Sequence, residues 1–411
     1  MTLFAFNPLA PLLSSVQASQ VSLEALTPVV CQLRETLEAG GTFRMTEGER
    51  DRVESALQRL DQVATHFGAA SGLVCSEVLQ PFVQKVVNAW PARMGYRSEA
   101  PDDITREYCL SAEIASGGCS KLFHGYHLEN GTLVAIKVAD VEENPSISQD
   151  VADQLLRREY EILEALRSSS RPGIHRFGTM NGKACMVMEH LHGRDLHELQ
   201  DDLLHGLKTS DDLDQLVEIG RQAVSEVAAV HEQGIVHCDV KPDNFMVHNR
   251  RLRIFDFGIA RREGEVQSFI GGTPGYMSPE SFTQNPTGFP RDVFALGAML
   301  YQLMTGRPPY EGASVEETQQ NLMNPEFHPE LPSAVLLRNR PDLKKGLSLQ
   351  QLQRLNHRLR VLDSIVMRAI NRDPNLRFQD AGHMLADFRR FDLTSWAAMT
   401  MGLGSRRRSA G

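Results

Sequence analysis

The chain has no excess of positive charge: 43 Lys and Arg stand against 52 Asp and Glu, a formal net charge of -9 over 411 residues. That balance argues against bulk nucleic-acid binding, which needs a basic face, and leaves room only for a local basic groove. Cysteine is sparse. Cys31, Cys75, Cys109, Cys119, Cys185 and Cys238 form no C-x-x-C pair and no dense spacing. A disulfide framework or zinc site is therefore not expected, and a reducing, cytoplasmic setting is. No window reaches roughly 18 apolar residues, so no membrane span is expected. The longest candidate, Val293–Met304, is broken by Gly297 and Gln302 and reads as a buried helix. A basic n-region followed by an uninterrupted apolar core is also missing at the start, so no secretory signal is expected. What remains is ordinary for a soluble globular chain: 41% hydrophobic and 23% charged residues, with a length that suits about two or three domains.

The first hundred residues and the rest have different periods. Leu23, Leu26, Val30, Leu33 and Leu37 recur at helical spacing up to Gly40-Gly41, and Arg50–Phe67 and Glu77–Trp90 repeat the pattern. Residues 1–92 thus read as a small all-helical region with a regulatory, partner-binding or targeting role. Residues 93–103, with Gly95, Pro101 and two aspartates, read as a linker. From Ile104 the period turns to strands, at Glu107–Ala115, Lys121–His127 and Thr132–Ala139, with Asn130-Gly131 as a hairpin signal. A helix over Ser148–Arg167, strand pieces at Ile174–Phe177 and Ala184–Glu189, and a mainly helical remainder follow. Strands first and helices after predict an α+β fold of two lobes, 104–190 and 191–391, with a cleft between them and a tail over 392–411. The tail holds Arg406-Arg407-Arg408 before Ser409, a solvated run or a phosphoacceptor.

Three groups of residues carry chemistry. On a strand over Thr132–Val138, Val134, Ile136 and Val138 share one face, while Ala135 and Lys137 share the other. The small Ala135 leaves room for a flat ring, and Lys137 is a cation able to grip phosphates. On the next helix Leu155, Ile162, Leu163 and Leu166 form a stripe with Glu159 in its middle. A carboxylate on an apolar stripe requires a partner, and Lys137 is the obvious one. The turn Ile114-Ala115-Ser116-Gly117-Gly118-Cys119-Ser120 lies between two strands and can close over phosphates, although a Gly-Gly hairpin needs no ligand.

The third group is His237-Cys238-Asp239-Val240-Lys241-Pro242-Asp243-Asn244, followed by Asp256-Phe257-Gly258. Asp239 is placed to accept the proton of an attacking hydroxyl, and Lys241 to neutralise charge on a transferring phosphoryl group. Asn244 and Asp256 supply hard oxygen ligands suited to Mg²⁺. A metal bound to both protein and phosphates offsets the charge of a triphosphate such as ATP.

Together these residues resemble the eukaryotic-like Ser/Thr protein kinases, in their bacterial branch. Val134–Lys137 resembles the strand-lysine motif, Glu159 its helix partner, His237–Asn244 the catalytic loop and Asp256–Gly258 the magnesium-binding turn. Gly272–Glu280 resembles the end of the activation segment, with Ser278 where alanine is commoner. Asp292 resembles the family's helix F aspartate, and Arg377 the arginine that pairs with Glu280. The resemblance implies a protein Ser/Thr kinase using Mg-ATP, with protein substrates, and the acidic balance adds the expectation of no nucleic-acid partner. It implies catalytic roles for Asp239, Lys241, Lys137 and Glu159, with metal binding at Asn244 and Asp256. It also implies nucleotide contacts from Ile114, Ala115, Gly117, Gly118, Ser120, Leu122, Ala135, Lys137, Met188, Glu189 and Leu191. Lys241 and Thr273 imply serine or threonine as the acceptor.

Departures from the pattern carry expectations of their own. Ala115 and Ser120 replace two loop glycines, and since both are small they imply a slightly altered nucleotide affinity rather than its loss. Cys238 stands where the family usually has the arginine that contacts a phosphate on the activation segment. Control by such a phosphate is therefore expected to be weak or absent, and Ser268 is the one plausible site before Thr273. The alternative is a kinase-fold scaffold of weak catalysis that acts by binding protein. A small-molecule phosphotransferase is disfavoured by the Gly272–Glu280 platform. The serine- and glutamine-bearing start, Ser14 to Gln20, is compatible with a bacterial effector delivered into host cells, as an alternative to cytoplasmic residence.

Overall fold

The computed structural model describes residues 20–22, 26–27, 29–30, 33, 47–68, 73–75, 79, 83, 86 and 102–388, except 128–129, 143, 145, 167–170, 207–211, 249–250, 267–270 and 283–287. The predicted positions Ser268, Ser409 and the arginine tail lie outside the described residues. The chain divides into two compact units, one of residues 1–161 and 173–190, the other of 162–172 and 191–411.

In the first unit, α1 (Glu47–Gly68) buries Val53, Leu57 and Leu60 completely, as its apolar spacing dictates. To the helical reading of this region the structure adds a sheet: β1 (Gln20–Ser22) pairs antiparallel with β2 (Leu73–Cys75). Segments this short carry too few residues for an alternating period to register.

The main sheet comprises β3 (Tyr108–Gly117), β4 (Ser120–His127), β5 (Leu133–Ala139), β6 (Ile174–Met180) and β7 (Lys183–Glu189), in the order β3-β4-β5-β7-β6. All of its pairings are antiparallel. Val134, Ile136 and Val138 of β5 enter one core with Ile104, Phe123, Cys185 and Val187. The helix α2 (Gln149–Ala165) follows β5. Its buried line runs through Ala152, Leu156, Glu159 and Leu163, whereas Leu155 is only partly buried. The stripe is thus displaced by one residue at its start from the one predicted.

Residues 102 and 103, read as linker, are folded onto β6. Thr179 donates its N–H to the Asp102 carbonyl at 2.8 Å, and Asp103 forms a parallel bridge with Thr179. Gly178 makes this approach possible, because a Cβ there would lie 2.2 Å from the Asp102 carbonyl oxygen. The next residue but one, Ile104, is wholly buried.

The second unit is mainly helical. It contains β8 (Arg194–Asp195), α3 (Leu196–Gly206), α4 (Asp212–His231), β9 (Ile235–Val236), β10 (Phe245–His248), β11 (Arg251–Ile254) and β12 (Arg261–Arg262). Then come α5 (Pro290–Thr305), α6 (Val315–Met323), α7 (Pro332–Asn339), α8 (Leu349–Ala369) and α9 (Ala381–Phe388). Short sheets β11-β10-β8 and β12-β9 frame the loop after β9 and the turn after β11. The helix α5 starts on Pro290, where the missing N–H is no loss, and ends at Gly306 in the left-handed region with φ 91°. From Arg291 to Thr305 every residue of α5 is buried, so it runs through the core of this unit and serves as an anchor. No helix among the described residues is long and apolar enough to cross a membrane.

Candidate functional site

In the first unit the site residues are set by the pleat of β5 and by α2. Alternation turns Val134, Ile136 and Val138 inward, so Lys137 emerges on the other face. Its Nζ lies 2.8 Å from both Glu159 oxygens, with Glu159 4% exposed. The symmetric contact holds the ammonium in one place, and a carboxylate as buried as Glu159 would be costly to leave without it. Ala135 is buried and sits opposite His124 and Met188 in the sheet. Gly118 and Cys119 form the turn between β3 and β4, where Gly117 pairs with Ser120. Ile114 is exposed, Ala115 pairs with Leu122, and Leu122 in turn pairs with Lys137. Glu189 ends β7 and accepts the Gly173 N–H at 2.9 Å.

In the second unit, Asp292 of α5 organises the loop after β9. It is fully buried and accepts N–H bonds from His237 at 2.6 Å and Cys238 at 2.8 Å, and one from His231 Nε2 at 3.0 Å. Burial pushes its carboxyl up, yet the His231 hydrogen bond and the other donors prevail and hold it below the ordinary carboxylate range. These bonds keep Cys238 at φ 69°, a left-handed conformation that costs about 1–2 kcal/mol for a residue with a Cβ. His237 is buried and supports the loop: its Nδ1 faces the Asp239 N–H at 3.4 Å, and its Nε2 lies 3.2 Å from the Phe255 carbonyl.

Asp239 then presents a carboxylate with defined neighbours. Oδ1 accepts the Thr273 hydroxyl at 3.0 Å, and Oδ2 lies 3.0 Å from Lys241 Nζ and 3.2 Å from Asn244 Nδ2. Lys241 also donates to the Thr273 oxygen at 3.0 Å. Asn244 is 3% exposed and uses its Nδ2 on Asp239, so its amide oxygen is the side-chain atom able to ligate a cation. Asp256 is exposed, with φ 61°, just before the buried Phe257. Asp239, Lys241, Asp256, Gly258, Gly272 and Thr273 line one open hollow.

Two oxygen ligands do not make a closed metal cage, and no group of three or more His, Cys, Asp or Glu is gathered for a metal among the described residues. An amide oxygen and a carboxylate are nonetheless the hard donors that suit Mg²⁺ carried in on phosphates.

The far end of this segment is fixed by Arg377, whose guanidinium holds both Glu280 oxygens at 2.6 and 2.9 Å while packing 5.0 Å over Phe294. Two other residues shape the site without belonging to any motif. Gln302, read as a break in an apolar run, is buried because it bonds Tyr276 and, at 2.6 Å, Gln200. Arg291 is buried at the start of α5 and bonds the Gly271 carbonyl. The available signal was a charged or polar residue inside an otherwise apolar helix.

Comparison with known proteins agrees in extent with this layout. A family described as "Protein kinase domain" matches residues 108–382. CBL-interacting protein kinase 25 of Oryza sativa is 29% identical over 275 residues, which cover 64% of this chain and 53% of that protein. Serine/threonine-protein kinase PknB of Mycobacterium leprae is 28% identical over 302 residues, 70% of this chain and 43% of that one. Serine/threonine-protein kinase pkn2 of Myxococcus xanthus is 28% identical over 319 residues, 74% and 35% respectively. The chain thus spans roughly a third to a half of the length of these curated relatives.

Proposed function

The chain belongs to the protein kinase family, and on that premise we propose that it is a Ser/Thr protein kinase that transfers the γ-phosphoryl group of Mg-ATP to protein hydroxyls. The observation that carries this reading is the Asp239 carboxylate, held by Thr273, Lys241 and Asn244 on the floor of an open hollow. Asp239 orients the acceptor hydroxyl and takes its proton, a role that contributes about 10²–10⁴-fold. Lys241 supports negative charge beside that carboxylate. Thr273 connects the two to the segment on which a peptide substrate would lie, in keeping with serine or threonine as acceptor.

Lys137, steadied by Glu159, binds and orients nucleotide phosphates. Ile114, Ala115, Gly117, Gly118, Ser120, Leu122, Ala135, Met188, Glu189 and Leu191 form the nucleotide's other contacts. Asn244 and Asp256 hold the metal, and Mg-ATP when bound supplies the transferable group together with the cationic charge that offsets its phosphates.

Activity does not wait for a phosphate on the segment between Asp256 and Glu280, since Cys238 replaces the arginine that would read one. Residues 1–92 bind a regulatory partner or act in cis.

The test is incorporation of labelled phosphate into a generic basic protein by the wild type, Asp239→Ala and Lys137→Met. Loss of at least ~100-fold in both variants is expected. Equal incorporation by all three would leave only a kinase-fold scaffold that acts by binding.

A further inference from the structure

The chain ahead of Thr273 is gripped from α5. Arg291 is 6% exposed, and its Nη2 donates to the Gly271 carbonyl at 2.7 Å and reaches the Cys238 carbonyl at 3.5 Å. The neighbouring Asp292 accepts the Cys238 N–H at 2.8 Å. Two consecutive helix residues therefore hold both backbone polar groups of Cys238, which sits at φ 69° immediately before Asp239. On the other side, Gly271 leads through Gly272 to Thr273. Gly272 has φ 125°, and a Cβ there would come within 3.4 Å of the Cys238 carbonyl oxygen, so loop and segment run close together at this point.

The chemistry of position 238 suits this arrangement. Burial above all, and then Asp292, push the Cys238 thiol up to about 12, while Arg291 and Arg261 oppose the rise. Both guanidiniums therefore act on a small neutral side chain, and Arg261 is itself 3% exposed. An arginine at position 238 would add a third guanidinium to a water-poor space whose buried carboxylate, Asp292, already accepts three hydrogen bonds, which is unfavourable.

We infer that Arg291 is a positioning residue for phosphoryl transfer: its guanidinium ties the Gly271 carbonyl to the Cys238 carbonyl and so holds Thr273 on Asp239 with a charge that the chain always carries. Nη2 carries two N–H groups, so this one nitrogen can serve both carbonyls, and the contact needs no added group to form. A phosphate-dependent contact is conditional, whereas this tie is permanent. The inference rests on the kinase reading above and adds to it the means by which the segment is held.

The test uses the full chain. In Arg291→Ala, kcat/KM for a serine peptide is expected to fall at least ~10-fold while KM for ATP stays within about 2-fold, because a misplaced acceptor site loses rate rather than nucleotide affinity. Hydrogen exchange at the Thr273 and Tyr276 amides is expected to rise at least ~10-fold. Arg291→Lys keeps the charge but ends one atom short of the Nη2 position, so it should retain less than about a fifth of the peptide kcat/KM, and it decides the matter if the alanine variant does not fold. Phosphatase-treated wild type should keep its activity. Wild-type kcat/KM in the lysine variant, unchanged exchange in the folded variants, or a ~10-fold loss after phosphatase treatment each overturns the inference. If the wild type transfers no phosphate at all, the kinase reading fails, and the exchange measurement still judges the tie.

Discussion

Replacing Asp292 with asparagine removes one acceptor from a place where three donors converge. His231 Nδ1 accepts the Ala381 N–H at 3.1 Å, so its proton resides on Nε2 and is donated to Asp292. Oδ2 thus serves His231 and the His237 N–H, and Oδ1 serves the Cys238 N–H. If the amide turns its NH₂ toward Cys238, that N–H is orphaned. The opposite orientation orphans the His237 N–H and opposes the His231 proton. An orphaned buried donor costs about 1–3 kcal/mol, and the loss of charge assistance adds to it. The left-handed Cys238 also loses part of what restrains it. A total of about 2–4 kcal/mol follows, or a fall of roughly 3–7 °C in Tm for a domain of this size. Calorimetry with guanidinium unfolding of the wild type and Asp292→Asn measures it. The pH dependence is a second check. A carboxyl held below its ordinary range contributes stability that is complete at neutral pH and is lost as pH falls through its lowered folded value. The difference between the two proteins should therefore shrink only in acid. A difference within ~0.5 kcal/mol at pH 7 would refute the reasoning, because it would mean that no buried donor had been orphaned.

Two further outcomes are expected. Glu226 is partly buried, its Oε2 has no hydrogen-bond partner among the described residues, and burial, opposed by Arg253, pushes its carboxyl up to about 7. A raised folded value gives stability that is present below the ordinary glutamate value and is lost as pH climbs toward about 7. Glu226→Gln should therefore be the more stable protein at pH 8 by ~1–2 kcal/mol, after solvent screening is allowed for, and nearly equal to wild type at pH 4.5. Equal stability at both values would count against it. Gly178→Ala places a Cβ 2.2 Å from the Asp102 carbonyl and 2.7 Å from the Ile104 side chain. The strap must lift, at about 1–3 kcal/mol, and proteolysis ahead of Tyr108 should accelerate. An unchanged cleavage rate and denaturation midpoint would show that the strap does not depend on Gly178.

Much of the site was legible because local periodicity and burial logic agree there. An alternating strand must turn Lys137 away from Val134, Ile136 and Val138. A glutamate on the apolar face of a helix must find a cation, and Lys137 lies 2.8 Å from it. The phase of that helix was less legible. Leu156 rather than Leu155 is buried, since spacing alone tolerates a rotation that packing does not. The pairing of β1 with β2 and the strap at residues 102–104 join segments far apart in sequence, and neither carries a local period.

By itself the sequence determined the order of the motifs, the membership of the family and which residue types stand where phosphoryl transfer needs them. These are properties of spacing and side-chain chemistry along the chain. Only the tertiary structure decided how Asp239 is held. Asp292 and Arg291 lie more than fifty positions along the chain from Cys238, yet they take its N–H and its carbonyl, and the same arginine reaches Gly271. Hydrogen bonds at such separations are written in no local pattern. They exist because a helix buried along its length brings its first turn to the loop, where every polar group removed from water must find a partner.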